Sequence, residues 1–133
     1  MKGVAGPVPR ILVVDDQAGV RKLLTEVFGS EGMAVTTAAD GAEGLAAALR
    51  ERPSLALVDI RMPVLDGVKL LMALKAHYLD LPVVMMTAVG DTEKVAEATR
   101  QGALLTVTKP FDVFGLRDLV QKILAGEGVS GGA

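Results

Sequence analysis

Apolar residues in this chain gather in short runs, and the longer stretches between them space apolar residues three and four positions apart. The runs predict strands at about 10–15, 33–38, 54–59, 82–87 and 104–108. Ile11-Leu12-Val13-Val14, Leu55-Ala56-Leu57-Val58 and Val83-Val84-Met85-Met86 are unbroken, as in strands covered on both faces. Val35-Thr36-Thr37-Ala38 is more polar and suits an edge. Between the runs, Val20, Leu23, Leu24, Val27 and Phe28 share one face of a helix over Ala18–Phe28, with Gly29 and Gly32 bracketing its end. Asp40 with Glu43 reads as a capping box, opening a helix that stops before Pro53. Asp66 is expected to cap a helix carrying Val68, Leu70, Leu71 and Leu74. Asp91 is expected to cap the next, ending near Gly102, and Asp112 the last, with Leu116, Leu119, Val120, Ile123 and Leu124. This alternation is (βα)5, an α/β fold in which right-handed crossovers put helices on both faces of a parallel five-stranded sheet.

The 133 residues fit one domain. Half are hydrophobic but only 3% are aromatic, so the core is expected to be aliphatic with methionine as filler. A net charge of -2 argues against direct nucleic-acid binding. The absence of cysteine excludes disulfides and thiolate metal sites, and the single histidine, His77, cannot form a histidine cluster. His77 is expected to be exposed near a helix end. No apolar stretch reaches the roughly 18 residues of a membrane span, and the N-terminus lacks the apolar core of a secretion signal. A cytoplasmic protein is the expectation. Residues 1–9 are read as a flexible segment, 10–125 as the domain, and 126–133 as a flexible glycine-rich tail leading to no effector domain.

Four of the apolar runs end in reactive side chains: Asp15 and Asp16 after the first, Asp59 after the third, Thr87 after the fourth and Lys109 after the fifth. Open α/β sheets do their chemistry at this edge. Any one such aspartate is ordinarily a turn or cap, but capping does not account for the joint occurrence. Two carboxylates about 4 Å apart repel by roughly 4 kcal/mol at an effective dielectric near 20. Crowding Asp15, Asp16 and Asp59 therefore calls for a compensating charge. A hard divalent cation such as Mg²⁺, which prefers oxygen ligands, suits them, and Lys109 adds a positive charge. Carboxylates after the first strand, where nucleotide-binding folds place glycines, argue against a flavin or dinucleotide. They fit a metal-mediated encounter with a phosphoryl group. Asp59 is the best nucleophile, with Thr87 to hydrogen-bond a phosphoryl oxygen, Lys109 to pair with it and the small Ala88 leaving room.

In combination, Ile11 to Asp16, Val58-Asp59-Ile60-Arg61-Met62-Pro63-Val64-Leu65-Asp66-Gly67, Met86-Thr87-Ala88 and Lys109-Pro110-Phe111 resemble the receiver domain of two-component response regulators, over about residues 10–125. The resemblance implies a flavodoxin-like sheet in order 2-1-3-4-5 and a cis peptide before Pro110. It implies Mg²⁺ held by Asp16, Asp59 and the backbone carbonyl of Arg61, with Asp15 acting through water. It also implies phosphorylation of Asp59 by a histidine kinase or a histidine phosphotransferase. Asp15-Asp16-Gln17, Gly19, Arg21, Leu23-Leu24, Glu26-Val27-Phe28 and Glu31-Gly32 resemble more narrowly the stand-alone receivers of sporulation phosphorelays. Many receivers carry Tyr or Phe three residues before the lysine. Thr106 stands there and favours a relay over an output switch.

The expected function is thus a monomeric phosphorelay intermediate that catalyses its own aspartyl phosphorylation but turns over no small molecule. Gln17, Val20, Leu23 and Pro110 are expected to face a histidine-bearing helical bundle. Arg61 and Val89 flank the path of an attacking water and predict a long-lived phosphoaspartate. The alternative is a stand-alone output switch that binds a target protein, as chemotaxis regulators do. A small-molecule phosphatase is disfavoured, because such enzymes usually place a second acid two residues after the nucleophile, where this chain has Arg61.

Overall fold

In a computed structural model, which describes residues 8–127, five strands and five helices alternate: β1 Arg10–Val14, α1 Ala18–Ser30, β2 Ala34–Ala38, α2 Gly41–Arg50, β3 Leu55–Asp59, α3 Gly67–His77, β4 Val83–Thr87, α4 Thr92–Arg100, β5 Leu105–Thr108 and α5 Val113–Leu124. The strands form one parallel sheet in the order β2-β1-β3-β4-β5. The polar β2 lies at one edge, as its composition predicts, and β5 at the other. The flexible segments expected over 1–9 and 126–133 fall mostly outside the described residues.

Period-two alternation splits the strands between two cores. Ile11, Val13, Leu55, Leu57, Val84 and Met86 face Leu24 and Phe28 of α1 and Leu116 and Val120 of α5. Leu12, Val14, Ala56, Val58, Val83 and Met85 face Leu70, Leu71 and Leu74 of α3 together with residues of α2 and α4. Methionine is core filler at 85 and 86, but Met72 lies exposed on α3. His77 is exposed at the end of α3, as expected.

Local chemistry sets the helix starts. Asp40 accepts from the Glu43 amide at 2.8 Å, and the Glu43 carboxylate accepts in return from the Ala39 amide at 2.7 Å. Asp66 and Asp112 likewise cap α3 and α5. Asp91 corrects the expectation: it stands at the N-cap position of α4 but makes no cap hydrogen bond. Its carboxylate is used elsewhere. The expected apolar face of α1 is also narrower than its spacing suggests. Leu24 and Phe28 are fully buried and Val20 half-buried, whereas Leu23 is 45% exposed.

Candidate functional site

Strand register brings the reactive residues together. Val14 pairs with Val58, so the residues that follow, Asp15 and Asp59, lie side by side. Thr87 pairs with Thr108, so Lys109 comes next on the neighbouring chain end, where its amide donates to the Thr87 carbonyl at 2.7 Å. Alternation then sorts the side chains. Asp15, Asp59 and Lys109 continue the face that carries Val13, Leu57 and Val107, on the α1 and α5 side. Thr87 continues the face of Val83 and Met85, on the α3 and α4 side.

Asp15 is fully buried and both its oxygens are engaged. One accepts from the Gln17 amide at 2.8 Å, an Asx-turn that leads into α1, and the other from Lys109 Nζ at 2.6 Å. Arg21 reaches back from α1 to donate to the Asp15 carbonyl at 2.7 Å. Lys109 Nζ also lies 3.5 Å from Asp59 and donates to the Gln17 side-chain oxygen at 3.2 Å. Gln17, expected on a partner-facing surface, is exposed but partly committed to this lysine. The Lys109–Pro110 bond is cis, and Pro110 is exposed.

Asp59 is nearly buried at the floor of a cleft of about 240 Å³ lined by Asp16, Gln17, Asp59, Arg61, Ala88, Asp91 and Lys109. Burial pushes its carboxyl up to about 6, reinforced by Asp15 and weakly by Asp16. Lys109 and the Arg61 amide oppose this shift. The Asp59 backbone is braced from beneath. Gly67 donates to the Ile60 carbonyl at 2.8 Å, and a Cβ at Gly67 would collide with the Asp59 carbonyl and lie 2.7 Å from Ile60 Cα. Only glycine fits there. Nearby Val64 adopts φ 71°, a left-handed conformation unfavourable for a β-branched residue.

Each of Asp15, Asp16 and Asp59 offers a carboxylate oxygen within 4.8 Å of the others. An all-oxygen acidic set open to solvent at Asp16 fits a hard divalent cation. Asp16 and Asp59 have free ligand positions, whereas both oxygens of Asp15 already accept hydrogen bonds.

On the opposite rim, the pairing of Arg61 with Asp91 was not foreseen from the sequence. Arg61, two residues beyond Asp59, lines the same cleft. Its guanidinium grips Asp91 by contacts of 2.6, 2.9 and 3.1 Å. The Thr87 hydroxyl is 3.5 Å from the same carboxylate and 3.2 Å from the Ala88 carbonyl. Arg61 holds the Asp91 carboxyl below the usual carboxylate range, first by hydrogen bonding. Thr87 is thus at the site's edge but turned toward α4, as its strand face dictates.

The family model for the response regulator receiver domain matches residues 11–123. The chain belongs to the response regulator receiver family. Among receivers of known sequence, it is 42% identical to sporulation initiation phosphotransferase F of Bacillus subtilis, over 86% of this chain and 93% of that protein. It is 40% identical to the regulatory protein AtoC of Escherichia coli, over 86% of this chain but 25% of AtoC. The fold matches a CheY-like receiver domain protein from Methanospirillum hungatei with a TM-score of 0.87 at 28% identity, covering 90% and 96% of the two chains. The receiver domain of NtrX from Brucella abortus gives 0.81 at 36% identity, covering 86% and 98%. As a receiver, the chain is a phosphoacceptor response regulator rather than a small-molecule enzyme. Receivers as a class bind Mg²⁺ at an aspartate cluster and exchange phosphoryl groups with histidine kinases and phosphotransferases. Among the described residues, no helix is long and apolar enough to cross a membrane.

Proposed function

We propose that Asp59 takes a phosphoryl group from a phosphohistidine and passes it to a second histidine, so that the protein is a phosphorelay intermediate. The observation that carries this is the placement of the Asp59 carboxylate at the floor of an open cleft, between an acidic cluster and the Lys109 ammonium. An Asp59 oxygen attacks phosphorus, the P–N bond to the imidazole breaks, and the electron pair leaves with the ring nitrogen. In the onward transfer a nitrogen of a second imidazole attacks phosphorus, the P–O bond to Asp59 breaks, and the electron pair returns to the carboxylate oxygen. Mg²⁺, held by Asp16, Asp59 and the Arg61 carbonyl with Asp15 acting through water, would neutralise charge on the phosphoryl oxygens. Lys109, 3.5 Å from Asp59 and 2.6 Å from Asp15, is positioned to pair with one of those oxygens. Thr87 can hydrogen-bond another only by turning its hydroxyl from the Ala88 carbonyl and Asp91. Ala88 leaves room above the acceptor.

The half-buried Val20 and the exposed Leu23 follow the cleft residue Gln17 along α1, and the exposed Pro110 follows Lys109, so all three are offered as apolar contact for a histidine-bearing helical bundle. The likeness to sporulation initiation phosphotransferase F, along nearly the whole of that protein, supports the relay role. So does Thr106, half-buried in β5 where an output switch would carry an aromatic. The protein acts in the cytoplasm as a monomer.

Mass spectrometry after incubation with acetyl phosphate and Mg²⁺ tests the chemistry. An adduct on Asp59 is expected, and an adduct on any other residue refutes the assignment. Mixing the phosphorylated protein with a histidine phosphotransferase then tests the relay, which requires efficient return of the group to histidine.

A further inference from the structure

Asp91 is the one predicted helix cap that does not cap. Its side chain is only 10% exposed, although the Arg61 guanidinium that it holds is largely open to water. A carboxylate at a helix N-terminus ordinarily accepts from the helix amides, so turning it outward forgoes that bond. In return it gathers two donors from the neighbouring strands: Arg61, just after β3, and Thr87, at the end of β4. A second ion pair runs parallel to the first. Lys94, one turn along α4, reaches the Asp66 carboxylate at 3.2 Å, and Asp66 also caps α3. The first turn of α4 is therefore tied to the β3–α3 connection at two points.

Both donors on Asp91 are ones that a phosphoryl group on Asp59 could use. Arg61 and Asp91 line the same cleft as Asp59 and Ala88, and Thr87 ends the adjacent strand. The same two groups cannot serve Asp91 and the phosphoryl oxygens at once. A contact made in only one of two states shifts the equilibrium toward that state.

We infer that Asp91 is a positioning residue that withholds Arg61 and Thr87 from the acceptor, and that phosphoryl capture proceeds by prising both donors off it. This rests on the phosphoacceptor reading of Asp59 and adds a brake to it. The clasp favours the unphosphorylated arrangement, and removing Asp91 shifts the balance toward the loaded one. Once freed, the guanidinium pairs with the phosphoryl oxygens, so the gain from removing Asp91 runs largely through Arg61.

The test is binding of beryllofluoride, a phosphoryl mimic that attaches to an aspartate, in the presence of Mg²⁺. It is followed through the backbone amide signals of Ala88 and Gly90 in the full chain. Asp91→Asn and Asp91→Ser are compared with the wild type, with Arg61→Ala and with the double variants. Serine can cap α4 but cannot hold Arg61, so it keeps the test open if the asparagine variant folds poorly. Both Asp91 variants are expected to bind about fivefold tighter, the scale of a partly exposed ion pair. In the Arg61→Ala background most of that gain disappears. Unchanged or weaker binding by both variants overturns the inference. So does a gain undiminished without Arg61, which would mean only that a negative charge had been removed. If the wild type fails to bind the mimic, or binds it as well after Asp59→Asn, the phosphoacceptor reading falls first and the brake falls with it.

Discussion

Replacing Asp59 by asparagine removes a charge that the folded protein holds at a disadvantage. The Asp59 carboxyl titrates near 6 in the fold, against 3.8 for a free aspartate, chiefly because burial and Asp15 oppose its ionisation. Below both values the carboxyl is neutral, folded or unfolded, and contributes nothing. As pH rises from about 4 to about 6, the unfolded chain ionises freely while the folded one resists, so wild-type stability falls through that window. A shift of about 2 units corresponds to about 3 kcal/mol. Screening by solvent in the open cleft reduces this to about 2 kcal/mol. Asparagine keeps the size and the acceptor oxygen facing the Arg61 amide without the charge. In a chelator, Asp59→Asn is therefore expected to melt about 7 °C above the wild type at pH 7.5 and at nearly the same temperature at pH 4. Mg²⁺ should raise the wild-type Tm at pH 7.5 and narrow the gap. Melting curves by circular dichroism at the two pH values decide the matter. A gap independent of pH, or none at pH 7.5, would refute the crowded-carboxylate account of this site.

Lys109→Met leaves the fully buried Asp15 carboxylate without its ion pair and is expected to cost about 3 kcal/mol in urea unfolding, besides abolishing labelling of Asp59 by acetyl phosphate. Val64→Gly relieves a left-handed backbone at a side chain 80% exposed, and should raise stability by about 1 kcal/mol in the same assay. Leu23→Asp should slow phosphotransfer from a histidine phosphotransferase while changing stability by less than about 0.5 kcal/mol and leaving acetyl phosphate labelling intact. Val20→Asp, at a half-buried position packed on the core, should lose transfer and stability together, so the pair of variants separates docking from folding.

The strands were legible because unbroken Val, Ile, Leu and Met runs admit few structures other than a buried parallel sheet, whereas their order came only from the resemblance to receiver domains. The site was legible because each reactive residue ends such a run, and parallel strands deliver their C-terminal ends to one edge. The side from which each group approaches could also have been read, by counting alternate residues along β4, which puts Thr87 on the α3 and α4 side of the sheet, within reach of Asp91. The Asp91 clasp carried no such signal. An aspartate ahead of a helix looks the same whether it caps or not, and the choice is made by Arg61, 30 residues earlier in the chain. Leu23 also fits the apolar spacing of α1. Its exposure follows from how α1 lies on the sheet, and helical period alone does not fix that. Val64 gave no sign either, since the run Met62-Pro63-Val64-Leu65 shows no glycine where the backbone turns left-handed.

Gly67, pressed against the Asp59 main chain, makes that residue an anvil. On the proposed phosphoacceptor role, loading it would add volume and charge at a braced point, so the displacement would be taken up by what surrounds it. Residues 88–90 are suited to yield. Gly90 lies at φ 94°, and Val89 before it stands almost wholly in water. Signal strength in this molecule would then be tuned by the give of that short stretch, while its chemistry stays constant on the rigid side.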